Sequence, residues 1–256
     1  MHQYAMRRAT LIPNDIEAIE RATVAAVSPE VVEELEGWLL SFDTGAVGRA
    51  KSAVPLRHAA CDATAVQEIE ARFEARGLPA LFRIADDPCF ELIRTELKRR
   101  GYRAGRPTLV QIAASKSVRL VSPDATAEVA TAPDASWAEV FLGDGFDPVD
   151  GASRVKALSR ARGSVYASVR EDGRAIAAGA AAFGYGWASV HGMRTAQARR
   201  GEGLAARVLA TLAAVALKRG MERMFLQVED NNAPALALYR RAGFETAWGY
   251  AYWRRT

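Results

Sequence analysis

Apolar residues recur along this chain with two alternating periods, near 3.6 and near 2, which predicts helices interleaved with strands. Ile16 and Ile19 stand at helical spacing and Asn14 follows Pro13 as a cap, so 14–36 reads as a helix. Trp38–Phe42 and Val47–Leu56 read as strands around the turn residues Asp43-Thr44-Gly45. A helix over 63–76 stops before Gly77. Strand Ala80–Ile84, a helix over 89–100 closed by Gly101, and strand Pro107–Ala113 follow. Ser115–Asp124, with Pro123, reads as a linker, with a strand at Val118–Val121 as the alternative.

The second half opens with helices near 134–142 and 150–161. Val165, Ala167 and Val169 then alternate with Tyr166, Ser168 and Arg170, the pattern of a half-buried strand. Asp172-Gly173 supplies the positive φ of a hairpin turn, Arg174–Phe183 is the return strand, and Gly184-Tyr185-Gly186 turns into a third strand, Trp187–Thr195. Leu204, Val208, Leu212 and Val215 share one face of a long helix, 203–219, which ends at Lys218-Arg219-Gly220, where a helix terminus favours cations and glycine. Strand Met221–Glu229, a helix over 232–242 and strand Phe244–Trp253 complete the pattern.

One arrangement occurs twice. Leu81–Asp87 leads through a helix to Arg100-Gly101-Tyr102, and Met224–Asp230 leads through a helix to Arg241-Ala242-Gly243-Phe244. Two related domains would give this echo. So would any strand–helix–strand unit whose helix ends in glycine.

Composition narrows the class. The 256 residues exceed one average domain, and half of them are hydrophobic with a quarter charged, as in ordinary globular proteins. No apolar run is long enough to cross a bilayer, and Met1-His2-Gln3-Tyr4 lacks an apolar signal core, so no membrane partner and a cytoplasmic address are expected. Cys61 and Cys89 read as reduced thiols rather than a disulfide, and three histidines (His2, His58, His191) without paired Cys/His spacing argue against a metal. A net charge of +4 does not amount to a nucleic-acid signal, because acidic residues are interspersed and no run of five basic residues occurs. A basic rim for an anionic small molecule is compatible with it.

The candidate chemistry starts at Arg200-Gly201-Glu202-Gly203-Leu204-Ala205, between the third strand and the long helix. Free amides and the macrodipole at a helix start attract phosphate, glycines let the backbone come close to it, and Arg199 and Arg200 add charge. A tight strand–helix turn without a ligand would use glycine too. One strand later stands an N-x-x-A-x-x-L-Y-x-x-x-G-F array: Asn232, Ala235, Leu238, Tyr239, Gly243, Phe244. Together, the R-x-x-G-x-A loop and this array resemble the GNAT (Gcn5-related N-acetyltransferase) superfamily over about residues 125–256. Two-domain bacterial members look similar over the whole chain, including Gly37-Trp38-Leu39-Leu40 and Arg49-Ala50-Lys51-Ser52. The first half carries no counterpart of Arg200–Ala205.

The resemblance implies a mixed α/β fold, mostly antiparallel sheet with helices on both faces. It would be a tandem GNAT fold with a degenerate N-terminal copy over 1–116 and the acetyltransferase domain over 117–256. It also implies acetyl-CoA as co-substrate, without metal. Backbone groups of Met193, Arg194 and Thr195 would pair with the pantetheine arm where two strands splay, amides from Arg200 through Gly201, Glu202, Gly203 and Leu204 to Ala205 would hold the pyrophosphate, and Asn232 would cap its helix or reach the cofactor. A backbone amide near Met193 or Arg194 would meet the oxyanion, and Tyr239 would protonate the leaving thiolate. The base is open. Ser189 stands where some relatives carry glutamate. His191 lies on the same face, and Glu229, acting through water, is the other candidate; a neutral amine would need neither. Tyr185, Trp187, Tyr250, Tyr252 and Trp253 would line an acceptor pocket or belong to the core, and Trp38 is expected in the core. The implied activity is acetylation of a primary amine, of a small molecule or amino acid, by direct attack. A peptide or protein amine, and a non-catalytic acyl-CoA binding or sensing module, are the alternatives. Monomer and homodimer both stay open.

Overall fold

Pro29, which lacks an amide hydrogen, ends the first helix well short of residue 36. In the computed structural model, which describes residues 11–59 and 62–255, helix α1 (Pro13–Val27) closes on Ser28 in a left-handed conformation (φ 41°). The residues beyond form strand β1 (Val31–Leu35), joined to β2 (Trp38–Phe42) by Glu36 and Gly37, both at positive φ. The expected helix over 28–36 is thus corrected to a β-hairpin. Met1-His2-Gln3-Tyr4 and Cys61 lie outside the described residues. The expected strand over 47–56 shrinks to β3 (Ala53–Pro55), because Gly48–Ala50 makes a 3-10 turn. Gly48 lies so close to the Tyr252 ring that a Cβ there would come within 2.9 Å of it.

Helix α2 (Ala65–Glu74), strand β4 (Leu81–Ala85), helix α3 (Glu91–Arg99) and a long strand β5 (Tyr102–Ala114) complete the first half. The first half of the expected linker is a short helix, α4 (Ser115–Arg119), anchored by the Ser115 hydroxyl donating to the Met221 carbonyl at 2.7 Å. After β6 (Glu128–Ala130), α5 (Ala135–Leu142) and α6 (Pro148–Ser159) come the antiparallel strands β7 (Val165–Glu171), β8 (Arg174–Gly184) and β9 (Trp187–Thr195). Asp172-Gly173 and Tyr185-Gly186 make their turns at positive φ. Helix α7 (Leu204–Lys218), β10 (Arg223–Glu229), α8 (Ala233–Arg241) and β11 (Glu245–Arg255) follow.

Among the described residues all eleven strands join one sheet, in the order β1-β2-β3-β4-β11-β5-β10-β9-β8-β7-β6. Only β3/β4 and β9/β10 pair in parallel, each across a helical crossover. The echo seen in the sequence therefore has a topological counterpart: parallel crossover, then strand–helix–strand. The two strand–helix–strand units interdigitate, with β11 inserted between β4 and β5, and β5 between β11 and β10.

The apolar faces explain the layering. Ala188, Val190, Met224, Leu226 and Val228 share a core with Leu204, Val208 and Leu212 of α7 and with Leu238 and Tyr239 of α8. On the opposite face Trp187 and Phe225 join Ile19 of α1, and Ala178 and Ala180 pack on Trp137, Phe141 and Leu158 of α5 and α6. Trp38 is core, as expected. The first-half core also holds one fully buried ion pair, Arg83 with Glu20 at 2.5 Å, whose guanidinium lies 5.2 Å from the Tyr250 ring centre. Among the described residues no helix is long and apolar enough to cross a membrane.

Candidate active site

Strands β9 and β10 hydrogen-bond only briefly. Ala188, Ser189 and Val190 face Met224, Phe225 and Leu226, and there the pairing stops. Beyond it His191–Thr195 continues along β8 alone, while Gln227, Val228 and Glu229 continue along β5 alone. A bulge opens the gap. Ala180 pairs with His191 but Ala178 pairs with Arg194, so Gly192 and Met193 together oppose Gly179. Gly192 (φ 60°) fits because a Cβ there would press on Leu158 and Phe141, and Gly179 because one would meet Met193 and Val208. The inner edge of Met193–Thr195 therefore faces an opening through the sheet, not a strand.

The loop Arg200–Ala205 enters α7 at the same end of the sheet. The Arg200 amide donates to the Gln197 carbonyl at 3.4 Å, and from Ala206 onward the amides turn back into the helix. Among the described residues no acceptor takes the amides of Gly201, Glu202, Gly203, Leu204 and Ala205. These five donors stand at the positive end of a fifteen-residue helix, which suits an anion. Gly201 and Gly203 stand at φ 87° and 77°, and a Cβ on either would meet open space. Glycine is required there by the left-handed backbone rather than by crowding.

The remaining expected cofactor contacts divide. The Arg199 guanidinium is taken up by Glu202 and Glu171, so it does not point a free charge at the loop. Arg200 is exposed and lies 5.6 Å over the Phe146 ring. Arg194 lies 4.7 Å over that same ring, and burial, then the nearby Arg154, lowers its affinity for a proton. Phe146 belongs to the α5–α6 loop, where Gly145 packs tightly on Gln197. Its signal in the sequence is an aromatic directly after Gly143-Asp144-Gly145. Asn232 caps α8, its side-chain oxygen accepting from the Ala235 amide at 3.3 Å, so of its two expected roles capping is the one visible.

The acid–base candidates lie on opposite faces of the sheet. Tyr239 is buried with the α7 core, and burial pushes its hydroxyl up to about 12, with the charge of Arg194 pulling the other way. It therefore carries its proton at neutral pH. Glu229 alternates onto the other face with Phe225 and Gln227 and is exposed to a cavity of about 1120 Å³. His191 is the other candidate base. It is buried edge-on to Phe225 at 6.5 Å, and burial, then Arg49, holds its imidazole well below the ordinary range. Neither ring nitrogen has a partner among the described residues, and the ring does not line the cavity. Ser189 is likewise sealed, donating to the Ala182 carbonyl at 3.3 Å.

The cavity is walled by 43–51, 70–81, β5 and β11, and by Arg154 of α6. Of the aromatic residues noted in the sequence, Tyr250 and Tyr252 line it, Trp187 and Trp253 are core, and Tyr185 is an exposed turn residue. At its floor Gln227 is fixed on three sides. Its oxygen accepts from Tyr250 Oη at 2.8 Å and lies 3.5 Å from Arg49, and its amide donates to Thr23 at 3.0 Å.

Solved structures share this architecture. A GCN5-related N-acetyltransferase from Kribbella flavida superposes with a TM-score of 0.70 at 18% identity, over 96% of each chain. A GCN5-related N-acetyltransferase from Sphaerobacter thermophilus gives 0.57 at 16% identity, over 97% of this chain and 94% of that one. A tandem GNAT protein from the clavulanic acid biosynthesis pathway gives 0.58 at 13% identity, over 96% and 89%. At these identities the likeness establishes the fold. Among curated proteins nothing matches. The family model described as "Probable histone acetyltransferase Rv0428c C-terminal" matches residues 13–253, nearly the whole chain. With the split strands and the amide-lined helix start in place, the chain belongs to that family, within the GNAT superfamily of acetyltransferases.

Proposed function

We propose that this protein transfers an acetyl group from acetyl-CoA to the primary amine of a small molecule, by direct attack and without a covalent enzyme intermediate. The observation that carries the reading is the run of five unclaimed amides, Gly201–Ala205, at the start of α7, beside a sheet that opens between β9 and β10. In this reading residues 117–256 bind the co-substrate, and 1–116 wall the acceptor cavity. The loop amides hold the pyrophosphate, and Met193–Thr195 offer an unpaired strand edge to the extended arm.

The two faces then divide the chemistry. The amine comes from the cavity side, where Glu229 takes its proton directly or through one water as the nitrogen attacks the carbonyl carbon. An amide near Met193 or Arg194 meets the developing oxyanion. The C–S bond breaks toward the α8 side, where Tyr239 gives its proton to the departing sulfur. His191 has no part in this scheme, since a sealed imidazole reaches neither amine nor water.

A protein amine is the second reading, and the family's description as a probable histone acetyltransferase favours it. The cavity speaks against it, because it is lined by six cations and four carboxylates, and a basic tail would meet like charge. The test is thiol release from acetyl-CoA with and without amines, with products identified by mass. Amine-dependent release with an acetylated product supports the proposal. Tight CoA retention without release under any amine would leave a binding or sensing module instead.

A further inference from the structure

The large cavity carries charge that the acetyl-transfer scheme does not use. Its carboxylates are partly spoken for: Glu70 pairs with Arg100 and Arg255, and Asp43 with Arg160. Its cations are less so. Among the described residues Arg49, Lys51, Arg106 and Arg254 have no carboxylate partner. Arg106 and Arg254 are exposed at the rim, whereas Arg49 is half-buried. Arg49 lies against Gln227, the first residue of β10 beyond the last pair with β9, so it borders the opening itself. A half-buried guanidinium with one long contact to a neutral amide has unused donors in a planar fork. The pyrophosphate loop cannot account for it, because that loop opens α7, which packs on the other face of the sheet.

We infer that the acceptor is a small amine bearing its own carboxylate, which Arg49 seats at the cavity floor while the amine lies by Glu229. The inference rests on the acetyl-transfer reading and adds the substrate class. Spacing supports it. Gln227 and Glu229 are two residues apart on one strand face, about 7 Å, so an anion at Arg49 and an amine at Glu229 fit one compact molecule. Tyr250 holds Gln227 in place, and the Gly48–Tyr252 contact holds the turn that carries Arg49, so the guanidinium is positioned before any ligand arrives.

The experiment compares matched amines, each as the carboxylate and as its carboxamide, with acetyl-CoA fixed and rates corrected for the fraction of neutral amine. A basic lysine peptide is a further arm. We expect kcat/KM at least tenfold higher for carboxylates than for their amides, through KM, and poor use of the peptide. Arg49→Gln should bring each pair within about twofold while leaving the Kd of CoA unchanged; Arg49→Lys should restore part of the preference. Equal use of carboxylate and carboxamide by the wild-type protein, or preference for the peptide, would overturn the inference and leave acetyl transfer standing. Parallel loss on both members of each pair in Arg49→Gln would overturn the role of Arg49. CoA binding without transfer to any amine would remove the transfer reading, and this inference with it.

Discussion

Valine at position 203 would have to adopt φ near 77°, a left-handed conformation closed to β-branched side chains, although its Cβ would touch nothing. Holding it there costs on the order of 1–3 kcal/mol, and relaxing it swings the amides of Leu204 and Ala205 away from the loop. Hydrogen bonds to a charged group contribute about 1.5–3 kcal/mol each, so losing two weakens CoA by roughly 100-fold or more. Gly220 provides the control. It stands beyond the far end of the same helix at φ 72°, again with open space around its Cβ. Gly203→Val and Gly220→Val should therefore lose comparable stability, a few degrees in Tm by scanning calorimetry, about 2–4 °C per kcal/mol for a chain of this size. Only Gly203→Val should lose CoA binding, measured by titration calorimetry. A Kd within threefold of wild type in that variant, or equal loss in both, would refute the assignment of the phosphate to this helix start.

Tyr239→Phe should lower kcat on the order of 100-fold with CoA affinity nearly unchanged, at the low end for a general acid because a thiol leaves readily. Undiminished turnover would remove the tyrosine from the mechanism. With its hydroxyl at about 12, Tyr239 should also stay protonated through the assay range, so no alkaline limb below pH 10 should vanish in the phenylalanine variant. For His191 the folded affinity for protons lies below the unfolded one, so its contribution is complete above about pH 6.5 and fades as pH falls. One such group changes stability by about 1 kcal/mol between pH 6.5 and 5.5, and His191→Phe should flatten the Tm profile there. An unchanged slope would mean that the ring is not sealed as described.

Much of this was legible because it is local. The hairpin turns at Asp172-Gly173 and Tyr185-Gly186, the apolar face of α7 and its cationic end follow from nearest-neighbour chemistry. The helix over 28–36 gave way to a hairpin because Val31, Val32 and Leu35 fit either period and Pro29 closes off the helix before them. The Gly192 bulge was invisible, since a glycine in a strand states neither its partner nor its register. The cavity was beyond reach for another reason. Its walls come from residues 43–51, 70–81, 102–108, 154, 227–229 and 250–255, and nothing local joins them. For the same reason the burial of His191 was not legible: alternation gives the face of a residue but not what lies on top of it.

The strand exchange bears on how the chain comes to its native state. During synthesis β4 and β5 emerge early, yet the position between them belongs to β11, which is made after the other ten described strands. Until then both present bare amide and carbonyl edges that invite mispairing, with each other or with a neighbouring chain. Cutting the chain before residue 245 would therefore expose two interior edges rather than trim one margin. Fragments from either half should be prone to aggregation, and the whole protein should acquire protection from proteolysis in one late step rather than half by half.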